Sequence, residues 1–154
     1  FKHNKNGFFE GPLILQPEVY KDERGYFIEK WNMEKFNQIL KRPIKFVQDN
    51  QSISQKGVLR GMHYQTSPLA QGKLVSCSSG SVFDVIIDLR KNSDTFSFWA
   101  GIELKALNFL QLWIPPGFAH GFHDGLLVER TDGAQVENLR VDVVSLGKDV
   151  SSGQ

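Results

Sequence analysis

Three polar clusters interrupt otherwise apolar, strand-like sequence, and they hold the side chains best suited to chemistry. The clusters are residues 22–29, 48–65 and 114–122. Together with Lys73 they supply two histidines, two arginines and several carboxylates, a set that suits proton transfer on an anionic substrate. Each member also has a purely structural explanation, because a single histidine in a strand often only packs and Arg24 alone suits a solvated surface.

The segment 81–89 predicts how a strand sorts polar and apolar side chains. Because successive side chains point to opposite faces of a strand, one face carries two carboxylates among aliphatic residues and the other is wholly apolar. The first face suits the lumen of a barrel that holds a polar ligand, and the second suits a packed core. Alternatively, both carboxylates face water. The first face holds Val82, Asp84, Ile86 and Asp88, and the second holds Phe83, Val85, Ile87 and Leu89.

The elements that position these residues are predicted to be strands. Turn residues recur about every eight to twelve positions between short apolar segments, which is typical of an all-β sandwich or barrel. One short helix is predicted near residues 33–41, with Asn32 as its N-cap and Phe36, Ile39 and Leu40 as its apolar stripe. The candidate strands are residues 13–19, 26–31, 46–54, 58–65, 73–76, 82–89, 98–104 and 110–114.

The composition indicates one globular domain with neither nucleic-acid nor membrane partners. The formal net charge of the 154 residues is +1, and 40% of them are hydrophobic. Their apolar runs fall short of a membrane span, and the first residues have no signal-peptide core. Cys77 is the single cysteine, which excludes an internal disulfide and a four-cysteine metal site. A reducing, cytoplasmic location is the simplest interpretation.

Several motifs, in order and in spacing, resemble the dTDP-4-dehydrorhamnose 3,5-epimerase family. The resemblance covers roughly residues 13–122. It implies a cupin-like jelly-roll barrel that works as a homodimer on a dTDP-4-keto-6-deoxyhexose without metal, nicotinamide or flavin. The motifs are Gln48-Asp49-Asn50, residues 57–65, residues 71–75, Asp84-Val85, Asp88-Leu89-Arg90 and residues 114–122, with residues 24–29 and Trp31 upstream.

The resemblance also implies roles for individual residues in epimerisation at C3 and C5 of the sugar. The ketone at C4 acidifies the protons on C3 and C5, so that a neutral imidazole can remove them. His63 matches the base, and Lys73 matches the cation that stabilises the enolate oxygen. His120 matches a residue beside the sugar, with Asp84 orienting it from a neighbouring strand. The matched substrate-binding residues are Arg24, Phe27, Glu29, Gln48, Asn50 and Arg60, part of them across the dimer interface.

Two local patterns need a structural answer. Arg60 and His63 are three positions apart, so strict alternation aims them at opposite faces unless Gly61 hosts a bulge. The Pro115-x-Gly117-x-x-His120 pattern resembles the second metal motif of cupins. Residues 62–64, however, supply one imidazole where the first motif needs two, so the sequence predicts no metal.

The last 32 residues depart from the family pattern. All 12 Phe, 3 Trp and 3 Tyr lie between Phe1 and Phe122, so the family's tyrosine general acid is missing, and neither Asp132 nor Asp142 can be assigned as the aspartate that pairs with the base. We therefore predict an epimerase-like domain at residues 1–122 and a divergent tail at 123–154, with an edge strand near 136–144 and mobile residues from 145. Alternative functions are a keto-isomerase, a single-site epimerase and a non-catalytic sugar-nucleotide-binding cupin.

Overall fold

The computed structural model describes residues 2–5, 10–124 and 139–145. Within these ranges the chain forms one helix, α1 (Met33–Leu40), and twelve strands. The predicted all-β fold with one short helix near residues 33–41 is therefore confirmed. The strands are β1 (Lys2–Lys5), β2 (Leu13–Gln16), β3 (Val19–Asp22), β4 (Gly25–Ile28), β5 (Gln48–Ser54), β6 (Leu59–His63), β7 (Lys73–Ser79), β8 (Ser81–Asp88), β9 (Trp99–Lys105), β10 (Gln111–Ile114), β11 (Phe118–Asp124) and β12 (Leu139–Ser145).

The strands form two packed sheets and one hairpin. The larger sheet has six strands in the order β1-β2-β10-β7-β12-β5, and the smaller has four in the order β6-β11-β8-β9. β3 and β4 form a separate two-stranded sheet. The pairs are antiparallel, and most neighbours are distant in sequence. This crossing of the chain between two antiparallel layers is the arrangement of a jelly-roll barrel.

Apolar side chains from both sheets fill the space between them. Along β8, buried residues alternate with half-buried ones, and Val82 and Ile86 are buried in the shared core. The face of β8 with Asp84 is thus the inner face, as its pattern suggested. The prediction that the other face is a packed core is wrong, since Phe83 and Val85 are half-exposed on the side of the four-stranded sheet that the six-stranded sheet does not cover.

Helix α1 covers the outer face of the six-stranded sheet. It begins at its predicted cap, where Asn32 Oδ1 accepts a hydrogen bond from the Lys35 amide at 3.1 Å. The Phe36 ring is buried, and its centroid lies 5.3 Å from that of Trp113. No helix in the described ranges is long and apolar enough to span a lipid bilayer. Because α1 packs outside, the inner face of this sheet stays available for a site.

The divergent tail contributes a central strand. β12 pairs with β5 on one side and β7 on the other, and Val141 is fully buried in the core between the sheets. The prediction of an edge strand is therefore wrong, because alternation shows which face of a strand is apolar but not how many neighbours it pairs with. Ser145, the first residue of the segment predicted to be mobile, is instead the last residue of β12. Residues 136–138 and 146–154, the rest of the predicted strand start and mobile end, lie outside the described residues. The division after residue 122 stays a prediction.

Candidate active site

Asp84 and His120 form a buried pair on the inner face of the four-stranded sheet. In the register of β8 and β11, His120 lies opposite Ile86 and Phe122 lies opposite Asp84, so all four side chains share one face. His120 Nδ1 lies 3.2 Å from Asp84 Oδ2. Burial raises the pKa of the Asp84 carboxyl, whereas the bond to His120 and the charge of Lys73 counteract that rise. The pair fixes the orientation of the His120 ring.

A bulge in β6 brings Arg60 and His63 to that same face. His63 pairs with His120 and Arg60 pairs with Phe122, so two steps along β11 correspond to three steps along β6. The extra residue lies at Gly61-Met62. Both Arg60 and His63 therefore lie opposite residues of the inner face, and the bulge that their three-residue spacing required is present.

Glycine is required where the bulge crosses β11. Gly61 has φ of +131°, a conformation that side chains disfavour, and a Cβ built there would lie 2.4 Å from the Gly121 Cα. A Cβ on Gly121 would lie 2.8 Å from the Arg60 carbonyl oxygen. The two backbones thus approach as closely as they do because neither residue has a side chain.

Lys73 faces this cluster from the six-stranded sheet. In the sheet register Lys73 lies opposite Ser145 of β12, and Ser145 lies opposite Gln48 of β5, so Lys73 and Gln48 are on the same face of the sheet. Asn50, two positions further along β5, is on that face as well. Lys73 is buried, with 7% of its surface exposed. Burial lowers the pKa of its ammonium, and the negative charge of Asp84 acts in the opposite direction. A cation in such a dry position interacts strongly with any negative charge formed nearby.

Arg60 bridges the open edge between the two sheets. Its Nε donates to Ser54 Oγ at 2.9 Å, and its Nη2 donates to the Ile53 carbonyl oxygen at 3.4 Å. Ser54 is itself buried at the end of β5. These bonds use two of the five N–H donors of the guanidinium, which leaves donors for an anion. The role of Ser54 was missed because nothing in its local sequence marks it as a partner of an arginine on another strand.

Three predicted substrate-binding residues lie apart from this cluster. Arg24 pairs with Asp22 at the tip of the β3–β4 hairpin, and its side chain is 85% exposed. Phe27 on β4 is 69% exposed. Glu29 accepts a hydrogen bond from Lys35 Nζ at 2.8 Å. Within the described residues, the structure therefore does not bring these three side chains to the inner-face cluster.

Two further aspartates, Asp88 and Asp142, are bound by neighbouring side chains and so have structural roles. Asp88 lies on the inner face of β8, but it accepts hydrogen bonds from Arg90, Ser93 and Thr95 in the following loop. Although burial alone raises its pKa, these bonds hold that pKa far below the usual range. Asp142 lies on the outer face of β12, where Lys30 Nζ binds it at 3.1 Å. Asp142 is therefore on the wrong side of the sheet to pair with His63.

No group of three or more potential metal ligands occurs among the residues that the structure describes. His120 is directed to Asp84, and the neighbouring His123 pairs with Leu59 and Phe83 on the outer side of the sheet. The two imidazoles on this strand are thus separated by the sheet. The surroundings of His120 suit proton chemistry better than metal ligation.

We expect chelators to leave the protein unchanged. Dialysis against EDTA should alter neither the thermal unfolding temperature nor turnover, since the part of the chain that the structure describes holds no group of three potential metal ligands. Differential scanning fluorimetry and an activity assay before and after dialysis measure this. A loss that added zinc or iron restores would contradict it.

A family model described as dTDP-4-dehydrorhamnose 3,5-epimerase matches residues 8–131. The chain belongs to the dTDP-4-dehydrorhamnose 3,5-epimerase family. Its match to the Shigella flexneri enzyme of that name is 58% identical over 110 residues, which is 71% of this chain and 61% of the relative. The Escherichia coli K12 enzyme is 55% identical over 113 residues, 73% of this chain and 61% of that protein. This chain thus spans about three-fifths of the length of these curated relatives.

Solved structures of epimerase-family members have the same fold. The Elizabethkingia anophelis NUHP1 dTDP-4-dehydrorhamnose 3,5-epimerase superposes with a TM-score of 0.82 at 42% identity, covering 96% of this chain and 75% of that one. A Legionella pneumophila Philadelphia 1 epimerase in complex with dTDP-4-keto-L-rhamnose gives a TM-score of 0.79 at 41% identity, covering 92% and 69%. The cupin-like jelly roll inferred from the sequence is thereby confirmed.

Proposed function

We propose that this chain binds a dTDP-4-keto-6-deoxyhexose and epimerises it at C3 and C5, as a dTDP-4-dehydrorhamnose 3,5-epimerase of L-rhamnose biosynthesis. One observation carries the proposal. The bulge at Gly61 turns His63 and Arg60 to the same face as the His120–Asp84 pair, with Lys73 opposite. A base, a buried cation and an anion-binding fork thus converge between the sheets. The names of the relatives agree with this chemistry.

The proposed mechanism assigns one task to each group. His63 takes the proton from the carbon next to the ketone, and the electrons of that C–H bond form the enolate. Lys73 stabilises the negative enolate oxygen, a charge that develops only during the reaction. His120, held by Asp84, contacts the sugar. Arg60 binds the diphosphate through its remaining N–H groups.

The remaining predicted contacts are part of the same proposal. Gln48 and Asn50 bind sugar and nucleotide from the inner face, where Gln48 Nε2 already donates to Asn50 Oδ1 at 3.2 Å. Arg24, Phe27 and Glu29 bind the nucleotide of a second subunit, which agrees with their exposed positions on and beside the β3–β4 hairpin. Neither a metal nor an organic cofactor takes part.

We further propose a homodimer that forms through the outer face of the four-stranded sheet. Apolar side chains lie on this face, where the Phe83 ring covers Gly101 and the Met62 side chain covers Gly121. Trp99 on the edge strand β9 is 65% exposed. An exposed apolar face of this kind is typical of a protein–protein interface. A second copy presents the same face, so the two are complementary in chemistry.

Trp99→Glu should shift the protein from dimer to monomer in size-exclusion chromatography with light scattering. The substitution puts a charge into the proposed apolar contact, which costs binding free energy. Leu107→Glu is the matched control, because Leu107 is 75% exposed in the turn after β9. A Trp99→Glu protein that keeps the dimer mass would contradict the proposed interface.

A second candidate function is proton exchange with little net inversion. Inversion needs a proton donor on the face opposite the base, and the sequence has no tyrosine after Tyr64. The inner face of β12 carries Val141 and Val143, which lie opposite the core residues Cys77 and Val75. These side chains cannot donate a proton. We attribute this difference to the divergent tail that begins near residue 123, and it favours a keto-isomerase, in which the base can return the proton from its own face, over epimerisation.

Isotope exchange separates these functions. The protein is mixed with dTDP-4-keto-6-deoxyglucose in deuterium oxide, and deuterium at each carbon is followed by proton NMR. Deuterium at both C3 and C5 with the L-configured product supports the epimerase, and deuterium at one carbon supports a single-site enzyme. Binding without exchange would overturn the catalytic proposal and leave a sugar-nucleotide-binding cupin.

Arg60→Ala should chiefly weaken nucleotide binding. Loss of a bidentate, charge-assisted contact is expected to raise the Kd for dTDP by about tenfold to a hundredfold, measured by calorimetry. Arg60→Lys should recover only part of the affinity, since an ammonium lacks the planar fork. Arg42→Ala serves as the control because Arg42 is exposed beyond the end of α1. Equal Kd values for the two alanine variants would contradict the role of Arg60.

The cytoplasm is the proposed location. The thiol of Cys77 is free and buried, and burial raises its pKa to about 11, so it stays protonated and unreactive. A chain with one free cysteine is compatible with a reducing compartment. Cell fractionation with an antibody against the protein tests this, and recovery from an oxidising compartment would contradict it.

A further inference from the structure

Gln65 contacts the buried cation of the candidate active site. Its Oε1 accepts a hydrogen bond from Lys73 Nζ at 3.0 Å. Gln65 follows β6 two positions after His63 and is exposed, whereas Lys73 begins β7 and is buried. The bond therefore links the segment that carries the base to the strand that carries the cation.

A lysine side chain in this position needs a partner to hold its direction. Its four methylene groups rotate freely, and ordering them costs conformational entropy that a hydrogen bond offsets. Titratable and charged groups face this side of the site from the opposite sheet, namely Asp84 from β8, His120 from β11, and Arg60 and His63 from β6, and the charge of Asp84 acts on the ammonium. Without Gln65, attraction to Asp84 would draw the ammonium toward the carboxylate and away from the open end of the site.

We propose that Gln65 is a positioning residue that aims the Lys73 ammonium at the oxygen of the enolate. The inference rests on the proposed function. His63 takes the proton, the C–H electrons form the carbon–carbon double bond, and the former carbonyl oxygen gains the negative charge. Lys73 donates a hydrogen bond to that oxygen and keeps its own protons, while Gln65 holds another N–H of the same ammonium.

A glutamine suits this task better than a carboxylate. The amide oxygen accepts a hydrogen bond but carries no net charge, so the full positive charge of Lys73 remains for the enolate. A glutamate at the same position would form an ion pair with Lys73 and compete with the enolate for it. A residue that only packed against Lys73 would not need to be neutral, whereas one that positions the ammonium for the enolate does. The neutral amide of Gln65 therefore fits a positioning role.

Two substitutions of similar size test this proposal. Gln65→Met removes the acceptor and keeps the length, and Gln65→Glu keeps the acceptor and adds a charge. We expect each to lower kcat for C–H exchange by about tenfold with KM nearly unchanged, because the bond acts on the charge formed in the transition state. Gln55→Met, in the exposed turn between β5 and β6, is the matched control and should leave kcat unchanged.

An independent measurement uses the protein without substrate. The protein is labelled with carbon-13 lysine, the Lys73 signal is assigned by its loss in Lys73→Met, and its pKa is followed by NMR. The pKa should fall in Gln65→Met and rise in Gln65→Glu relative to the unsubstituted chain, with no change in Gln55→Met.

The two readouts separate the outcomes. Opposite shifts of the Lys73 pKa together with the kcat losses support the proposal. An unchanged Lys73 pKa in both Gln65 variants would overturn it, since the hydrogen bond would then not constrain the ammonium. Unchanged kcat with shifted pKa would also overturn it. If the unsubstituted chain shows no exchange while the pKa shifts occur, the proposed function fails and the contact itself stands.

Discussion

His63→Ala is expected to reduce C–H exchange on the 4-keto sugar by roughly a thousandfold, the middle of the range for loss of a general base. The imidazole lies opposite His120 on the inner face, and β6 carries no second histidine that could replace it. Exchange is measured by NMR in deuterium oxide, with the protein saturated by substrate so that binding does not limit the rate.

The result depends on a control that removes an imidazole without touching the site. His123→Ala serves once light scattering shows that it keeps the mass of the unsubstituted protein, because His123 lies on the outer side of the sheet, where its ring packs near Phe83 on the proposed dimer face. It should keep nearly full exchange. The binding of dTDP should remain close to that of the unsubstituted chain in both variants, since Arg60 is retained. Undiminished exchange in His63→Ala would remove the proposed mechanism.

The His63 result also bears on the order of events. If His63 is the base for both carbons, deuterium incorporation at C3 and at C5 should fall together. If only one carbon loses exchange, a second base acts at the other, and among the described residues the buried His120 beside Asp84 is the remaining imidazole on the inner face. Deuterium incorporation at C3 and at C5 therefore shows whether His63 acts at both carbons or shares the reaction with His120.

Gly61→Ala is expected to have the largest effect on stability. The substitution meets two costs, an unfavourable φ of +131° and a Cβ only 2.4 Å from the Gly121 Cα. We expect a loss of roughly 3 kcal/mol in the free energy of unfolding, measured in urea. The bulge should also shift, so that Arg60 and His63 no longer face the same side and exchange falls.

Gly25→Ala separates these two costs. Gly25 has nearly the same φ, +130°, but in the described structure no heavy atom beyond its two chain neighbours lies within 4 Å of a Cβ built there. It should lose only about 1 kcal/mol, the cost of the backbone conformation. Equal losses in the two variants would mean that contact with β11 does not determine the choice of glycine at position 61.

The close contact of Gly61 with Gly121 connects fold and chemistry. A bulge adds one residue to one strand and thereby moves the following side chain to the other face. Here the bulge in β6 puts His63 on the same face as Arg60, next to His120 on the neighbouring strand β11. A stability defect in Gly61→Ala and a loss of exchange should therefore appear together, whereas Gly25→Ala should leave the inner-face cluster intact.

Local sequence patterns determined much of this protein. The alternation along residues 81–89 correctly located Asp84 on an inner face, because side-chain direction in a strand follows from its two-residue period. The N-cap at Asn32 and the stripe through Phe36 likewise predicted α1, since a helix is defined by neighbours three and four positions apart. The motifs around His63 and His120 were enough to suggest the family.

Other features depended on parts of the chain that are far apart in sequence. Alternation could not show that β12 lies between β5 and β7, since strand neighbours depend on where the chain returns. Asp88 has the same pattern as Asp84, yet the following loop surrounds it with donors. Nothing in the local sequence around Gln65 indicated its hydrogen bond to Lys73, which lies on the strand β7. The sequence determined the residue types and, in regular strands such as β8, the face on which each lies. The bulge in β6 and the pairing of distant strands decided which side chains meet, because contacts across a sheet or between sheets have no local signature.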